Sequence, residues 1–230
     1  MIYISKLITP ISTGTSAGDI DVGATVKINE NGQAVDYLVV HQGLPSAIYD
    51  ASCEGTWCLR KDIAENRQWD SGNFNVLETS DIQAYLNGDW TNRYDPDIAE
   101  AIIQCKIPYR QGGGTGGTDR NGANGFPCKI FLLSGREVGF TNNESSFLPN
   151  DGAKLDYFLS GTGSAANEIR VATMSGSATD WWLRSPYTYN GGSVFICNSN
   201  GGSNSWSANS SYGLRPALIL PYSFKFKEVS

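Results

Sequence analysis

The stretch from Tyr187 to Tyr212 contains no Lys, Arg, Asp or Glu, and an apolar block carrying one Arg stands on either side of it. The first is Trp181-Trp182-Leu183-Arg184-Ser185-Pro186, the second Gly213-Leu214-Arg215-Pro216-Ala217-Leu218. Such ends belong in a core, and the middle of Asn, Ser, Gly, Tyr and Trp reads as a surface hung between them. Ser193 to Asn198 alternates, with Val194 and Ile196 on one face and Ser193, Phe195 and Cys197 on the other, the period of a half-buried strand. Asn200-Gly201 tolerates positive φ, so Ser203 to Ala208 is expected to return as the partner strand. Leu214 to Leu220 reads as a buried closing strand, with Pro216 near its start where a missing donor matters least. Tyr and Trp give contact area at low entropy cost, and Ser, Gly and Asn adapt their hydrogen bonds, as in evolved paratopes. On composition alone an ordinary polar hairpin fits as well.

The rest of the chain reads as α+β. Val22 to Gly43 predicts a strand, an Asn29-Glu30-Asn31-Gly32 turn and a second strand ending near His41. Ser80 with Gln83 forms a capping box for a helix with an Ile82, Tyr85, Leu86 stripe and a left-handed end at Gly88. Asp95 caps a second helix with Pro96 at its first position and Ile98, Ala101 and Ile102 facing inward. Cys128 to Leu133 predicts a buried strand, Ser134 with Glu137 a capping box for a short helix, Leu155 to Phe158 a packed helical turn, and Glu168 to Met174 a strand. Gln111 to Gly125 lacks the Gly-Lys-Ser/Thr end of a phosphate cradle and reads as a mobile loop.

A net charge of −6 and no basic patch argue against nucleic acid or an anionic membrane as partner. No apolar run approaches the ~20 residues of a membrane span, and Met1-Ile-Tyr-Ile-Ser-Lys lacks the pattern of a signal peptide, so synthesis in the cytoplasm without membrane insertion is expected. Cys53, Cys58, Cys105, Cys128 and Cys197 form an odd set without paired short spacings and read as buried thiols. His41, the single histidine, stands among apolar strand residues, and there is no Gly-x-Ser-x-Gly elbow, so Ser-His-Asp hydrolysis is not expected. Arg184 and Arg215 each need a carboxylate or carbonyl partner in an apolar setting, with Asp180 and Asp156 as candidates, and both read as structural anchors.

The two Arg-bearing blocks, with Lys129-Ile130-Phe131-Leu132-Leu133-Ser134 upstream, resemble a large family of bacterial and phage proteins of C-type-lectin-like fold. That family is related in architecture to the formylglycine-generating enzyme domain, and many of its members are variable proteins of diversity-generating retroelements. The resemblance runs from about Gly23 to Leu220. It implies twisted antiparallel sheets with two flanking helices and long loops, organised as an N-terminal strand or attachment segment (1–20), a ligand-binding domain (21–222) with a variable region (187–212), and a tail (223–230). It further implies a non-enzymatic protein on a phage tail or bacterial cell surface, contacting a bacterial surface protein or glycan. No cofactor or metal is expected: the calcium-binding Glu-Pro-Asn and Gln-Pro-Asp triplets do not occur, and the Asn-rich stretch has no carboxylates. The expected contact residues are Tyr187, Tyr189, Asn190, Ser193, Phe195, Asn198, Asn200, Ser203, Asn204, Trp206, Asn209 and Ser210, with Asp180, Trp181, Trp182, Arg184 and Arg215 as the structural motif. Homo-oligomerisation through Met1 to Ile11 would raise avidity. Two alternatives stand beside this: a formylglycine-generating-type enzyme, which needs a reactive Cys pair on late elements where this chain has Cys197 alone, and an undiversified structural or adhesion domain.

Overall fold

The computed structural model describes residues 14–161 and 164–226, so the contact segment expected at Met1 to Ile11 lies outside the described residues. Thr25–Glu30 (β1) and Gln33–Gln42 (β2) form a hairpin in which Asn31 and Gly32 take φ of 51° and 73°, the pairing a two-residue turn requires. Thr56–Arg60 (β3) pairs with β2, and Glu65–Gln68 (β4) leaves it for a second sheet. Cys105–Ile107 (β5), Tyr109–Gln111 (β6), Thr118–Arg120 (β7), Phe126–Cys128 (β8) and Ile130–Phe131 (β9) follow, then Thr173–Met174 (β10) and Ser177–Ala178 (β11). Trp181–Pro186 (β12), Ser193–Cys197 (β13), Ser203–Ser207 (β14), Ser211–Leu214 (β15) and Ala217–Leu220 (β16) end the described strands. Asp81–Asn87 (α1), Pro96–Ala101 (α2), Asp156–Leu159 (α3) and Ser164–Glu168 (α4) are all short. The chain is α+β.

Two five-stranded sheets carry the domain, ordered β1-β2-β3-β16-β9 and β14-β13-β12-β15-β4. Their pairings are antiparallel except β12 with β15, which is parallel at Trp181 and Gly213. The strands β3, β9, β12, β13 and β16 are buried on both faces, which explains apolar runs without polar alternation, whereas β1, β4 and β14 keep exposed positions. Leu218 and Leu220 join one core cluster with Trp182, Val194 and Ile196, whereas Ala217 and Ile219 join the other with Trp181, Phe195 and Cys197. Each buried indole finds an acceptor: Trp69 donates to Leu183 O (3.2 Å), Trp181 to Arg170 O (3.1 Å) and Trp182 to Arg67 O (2.8 Å). Residues Thr15 to Gly18 are stitched to Tyr222–Phe226 by backbone bonds, and Ala17 and Phe226 enter the core.

Several local expectations need correction. Ser80 caps α1 through Gln83 N (3.3 Å), but the Gln83 side chain donates to Ile130 O (3.2 Å) rather than reaching back. Gly88 has φ −112°, so α1 runs on into a 3-10 turn over Asp89–Arg93 instead of ending left-handed. The strand expected at Cys128 to Leu133 is split, because Asn87 Oδ1 accepts from both Lys129 N (2.8 Å) and Ile130 N (3.1 Å) and turns the chain between β8 and β9. Ser134 and Glu137 make the reciprocal box, yet one turn follows rather than a helix, since Gly139 at φ 86° ends it. The strand expected at Glu168 to Met174 begins as α4 and a turn. Buried Arg170 pulls that turn inward by donating to Val138 O (2.7 Å) and Gly139 O (3.2 Å).

Candidate functional site

β13 and β14 form the expected hairpin, with Ser193 opposite Ser207 and Cys197 opposite Ser203. β14 is the edge of its sheet, and β13 lies one strand inside. The position decides exposure: Val194, Phe195, Ile196 and Cys197 are buried, whereas Asn204 and Trp206 on β14 face solvent. Phe195 is therefore a correction to the expected contact set. It is 1 % exposed and packs edge-on against Tyr187 with centroids 5.6 Å apart. The half-buried strand becomes a fully buried one because a core cluster lies against each of its faces.

The remaining residues divide between the two ends of the hairpin, separated by about 17 Å of strand. At one end stand Tyr187, Tyr189, Asn190, Ser193, Trp206, Asn209 and Ser210. Here Ala208 N donates to Gly192 O (2.8 Å), joining the loop before β13 to the turn after β14. At the other end lie Asn198, Asn200 and Ser203, with Asn204 partway along. That tip is tied down: Asp180 Oδ1 accepts from Ser199 N (2.7 Å), and Gly201 sits so close to Asn167 that a Cβ would fall 1.8 Å from its carbonyl oxygen.

The first end is the more open. Tyr189 is 68 % exposed and Trp206 47 %. Tyr189 and Tyr187 each lie 5.1 Å from the Phe147 ring, and Trp206 lies over Tyr212, which meets buried Trp182 edge-on at 5.0 Å. Phe147 and the 63 % exposed Phe74 were not singled out in the sequence, because neither sits in the charge-free stretch. The Asn75 loop, however, lies beside that stretch in space. Buried Asn75 is the peg of the site: its Nδ2 donates to Ser193 O (2.7 Å), Asn190 O (2.9 Å) and Tyr187 O (3.3 Å), and its Oδ1 accepts from Gly114 N (2.9 Å).

Asn190 shapes the loop from inside, its Oδ1 accepting from Gly192 N (3.0 Å) and Ser193 N (2.8 Å). Its amide is committed to the turn rather than offered to a ligand. The Gly-rich stretch, expected to be a mobile loop, forms the turn and second strand of the β6–β7 hairpin and supports this end. A Cβ on Gly114 would fall 1.6 Å from Asn190 O, and Thr115 Oγ1 donates to Tyr189 O (2.9 Å). Glycine is required there for close backbone approach.

The two motif arginines are buried, but neither pairs as expected. Arg184 takes Glu137 in a two-pronged contact (Nη1 to Oε2 and Nη2 to Oε1, both 2.6 Å), and Tyr49 Oη also donates to Glu137 (2.8 Å). Burial works against the charge on Arg184, and Glu137 more than reverses that, holding the guanidinium above its ordinary range. Asp180 is committed to Ser199, and Asp156 Oδ2 lies 2.9 Å from His41 Nδ1. Sequence distance hid Glu137, which is 47 positions from Arg184. Arg215 has no carboxylate within ion-pair distance among the described residues. Its Nε donates to Arg60 O (2.9 Å), and its guanidinium lies 4.8 Å from the Trp181 ring centroid.

Asp151, fully buried beside Arg184, accepts from Ser185 Oγ (2.7 Å) through Oδ2, while Oδ1 has no partner. Burial pushes its carboxyl up to about 7 against the pull of Arg184. From about pH 4 to 7 the folded chain thus keeps a proton that the unfolded chain has released. The stability this adds is full at the acid side and lost as pH rises through 7. The urea midpoint should accordingly fall between pH 5 and pH 8, and the fall should shrink in Asp151→Asn; equal slopes in the two proteins would refute the assignment.

All five cysteines are free and buried. Cys105 and Cys128 face each other across β5 and β8, and Cys53 adjoins Cys105. Hydrogen bonding with Cys105, followed by burial, pushes the Cys53 thiol up, and burial pushes Cys58 and Cys197 to about 12. Such thiols are poor nucleophiles. Among the described residues, no three His, Cys, Asp or Glu side chains are arranged to hold a metal, and no helix is long and apolar enough to cross a membrane.

Compared with known families, residues 54–222, most of the chain, match the family described as Domain of unknown function (DUF6273), and the chain belongs to it. No curated protein and no solved structure matches.

Proposed function

We propose that this family member is a non-enzymatic binding protein of C-type-lectin-like fold whose 187–212 segment is a diversified contact surface. The observation that carries this reading is the separation of display from support within one hairpin. Tyr189, Asn204, Trp206 and Asn209 project from it, while its course is set by buried Val194, Phe195, Ile196 and Cys197, by Asn75 and by Gly114. Exposed side chains can then change without disturbing the fold, because surface substitutions away from such features typically shift stability by no more than about 0.5 kcal/mol. Short helices, among them the expected pair α1 and α2, beside mainly antiparallel sheets support the fold assignment. The aromatic rings would anchor a protein or glycan on a bacterial surface, with Ser and Asn adapting around them. Several copies on a phage tail or cell surface would raise avidity without new contacts.

Sequencing downstream of the gene tests this directly. The expected result is a near-copy of the Tyr187 to Tyr212 coding segment that differs at adenines, together with a reverse-transcriptase gene. Absence of both would end the diversification reading and leave a fixed binding or adhesion surface.

A further inference from the structure

Arg215 is 2 % exposed, and its Nη1 is buried without a hydrogen-bond partner. The other buried arginines differ: Arg184 and Arg170 both spend their guanidinium groups on backbone and side-chain acceptors. A buried cation with an unmade bond is costly, and the cost is relieved when an anion arrives. Arg215 forms part of the wall of a cavity of about 280 Å³, together with Lys61, Asp62, Glu168, Val171 and Thr173. None of the lining residues belongs to 187–212. The site is therefore separate from the proposed contact surface.

The wall carries charge of both signs, and that narrows the ligand. A guanidinium edge matches a carboxylate in geometry. Lys61 is already engaged with Asp36 at 3.6 Å, which leaves Arg215 as the main anion-binding group. Asp62, whose Oδ1 accepts from Thr173 Oγ1 (2.7 Å), and Glu168 would repel a phosphate dianion and attract an ammonium. Leu38, Ile169 and Val171 supply an apolar wall for a short side chain. We propose that this cavity binds a small α-amino acid, its carboxylate held by Arg215 and its ammonium by Asp62 and Glu168.

Titration of the full chain with glycine and with alanine at constant ionic strength, followed by proton–nitrogen NMR, tests the assignment. Acetate and inorganic phosphate serve as comparison ligands. The expected result is saturable shifts at Lys61, Val171, Thr173 and the Trp181 indole with the amino acids, with acetate about tenfold weaker because one charged contact is missing. Val171→Trp, which fills the cavity and leaves Arg215 in place, should abolish the shifts, and so should Arg215→Lys where it folds. Shifts that persist in Val171→Trp would overturn the proposal. The same holds for acetate or phosphate matching alanine, or for no saturable response at all.

Discussion

Arg184→Ala should lower the melting temperature by about 10 °C or more, the largest single effect expected in this chain. Arg184 donates five N–H groups in directions that are all met: Nε to Pro108 O (3.1 Å), Nη1 to Leu132 O (2.9 Å) and Glu137, Nη2 to Asp151 O (2.7 Å) and Glu137. Removing the side chain leaves the buried Glu137 carboxylate without its cation, though still bonded to Tyr49 and Ser134, and takes a donor from each of three carbonyls. Loss of one partner of a buried pair costs about 3–5 kcal/mol, mostly through the uncompensated charge. Arg184→Lys should recover little, because an ammonium has three donors and no planar fork. The double variant Arg184→Met with Glu137→Met should be more stable than Arg184→Ala, since no ion is left stranded. Thermal unfolding of the three proteins checks the set. An Arg184→Ala protein that melts like the native chain but no longer binds its ligand would move Arg184 from the frame to the contact surface.

The second large effect is a contrast within one hairpin. Phe195→Ala should cost about 3–5 kcal/mol, as for other buried aromatics. Tyr189→Ala should cost far less, up to about 1.5 kcal/mol, because the ring is exposed and meets Phe147 edge-on. Trp206→Ala should fall in the same low range, because Trp206 is likewise exposed and lies against Tyr212; an exposed aromatic pair contributes up to about 1.5 kcal/mol. Urea denaturation measures all three. The same ordering should appear among sister genes, with codons varying at Tyr189, Asn204, Trp206 and Asn209 and held at Val194 to Cys197. Free variation at Phe195 in stable proteins would contradict the division of labour in this hairpin.

The sequence made the hairpin legible because its two signals are local: period-two alternation in β13 and an Asn-Gly turn before β14. The buried fate of Phe195 was not local. It depends on β13 being one strand in from the edge, with Tyr187 and a core cluster on the face that alternation had assigned to solvent. Partners across long separations were hidden in the same way. Glu137 was read as a cap for its own turn, and it does accept from Ser134 N (2.8 Å), but the same carboxylate receives Arg184 and Tyr49. Asn75 carried no motif, yet one buried amide fixes three carbonyls of the 187–193 loop. The Gly-rich stretch was read only as a loop, and its place against the 187–190 segment was not legible. Its glycines are there for contact with Asn75 and Asn190, which composition does not reveal.

The antiparallel bridge between Ser16 and Lys225 brings the entering and leaving chain side by side. A domain closed in this way can be spliced into a loop of another protein as a cassette, because the host sees two strands emerging together rather than two distant ends. It can also be permuted, linking the chain across the Ser16–Lys225 bridge and opening it at an exposed turn such as Asn31-Gly32. Such a module can be carried from one carrier protein to another with its β13–β14 hairpin undisturbed.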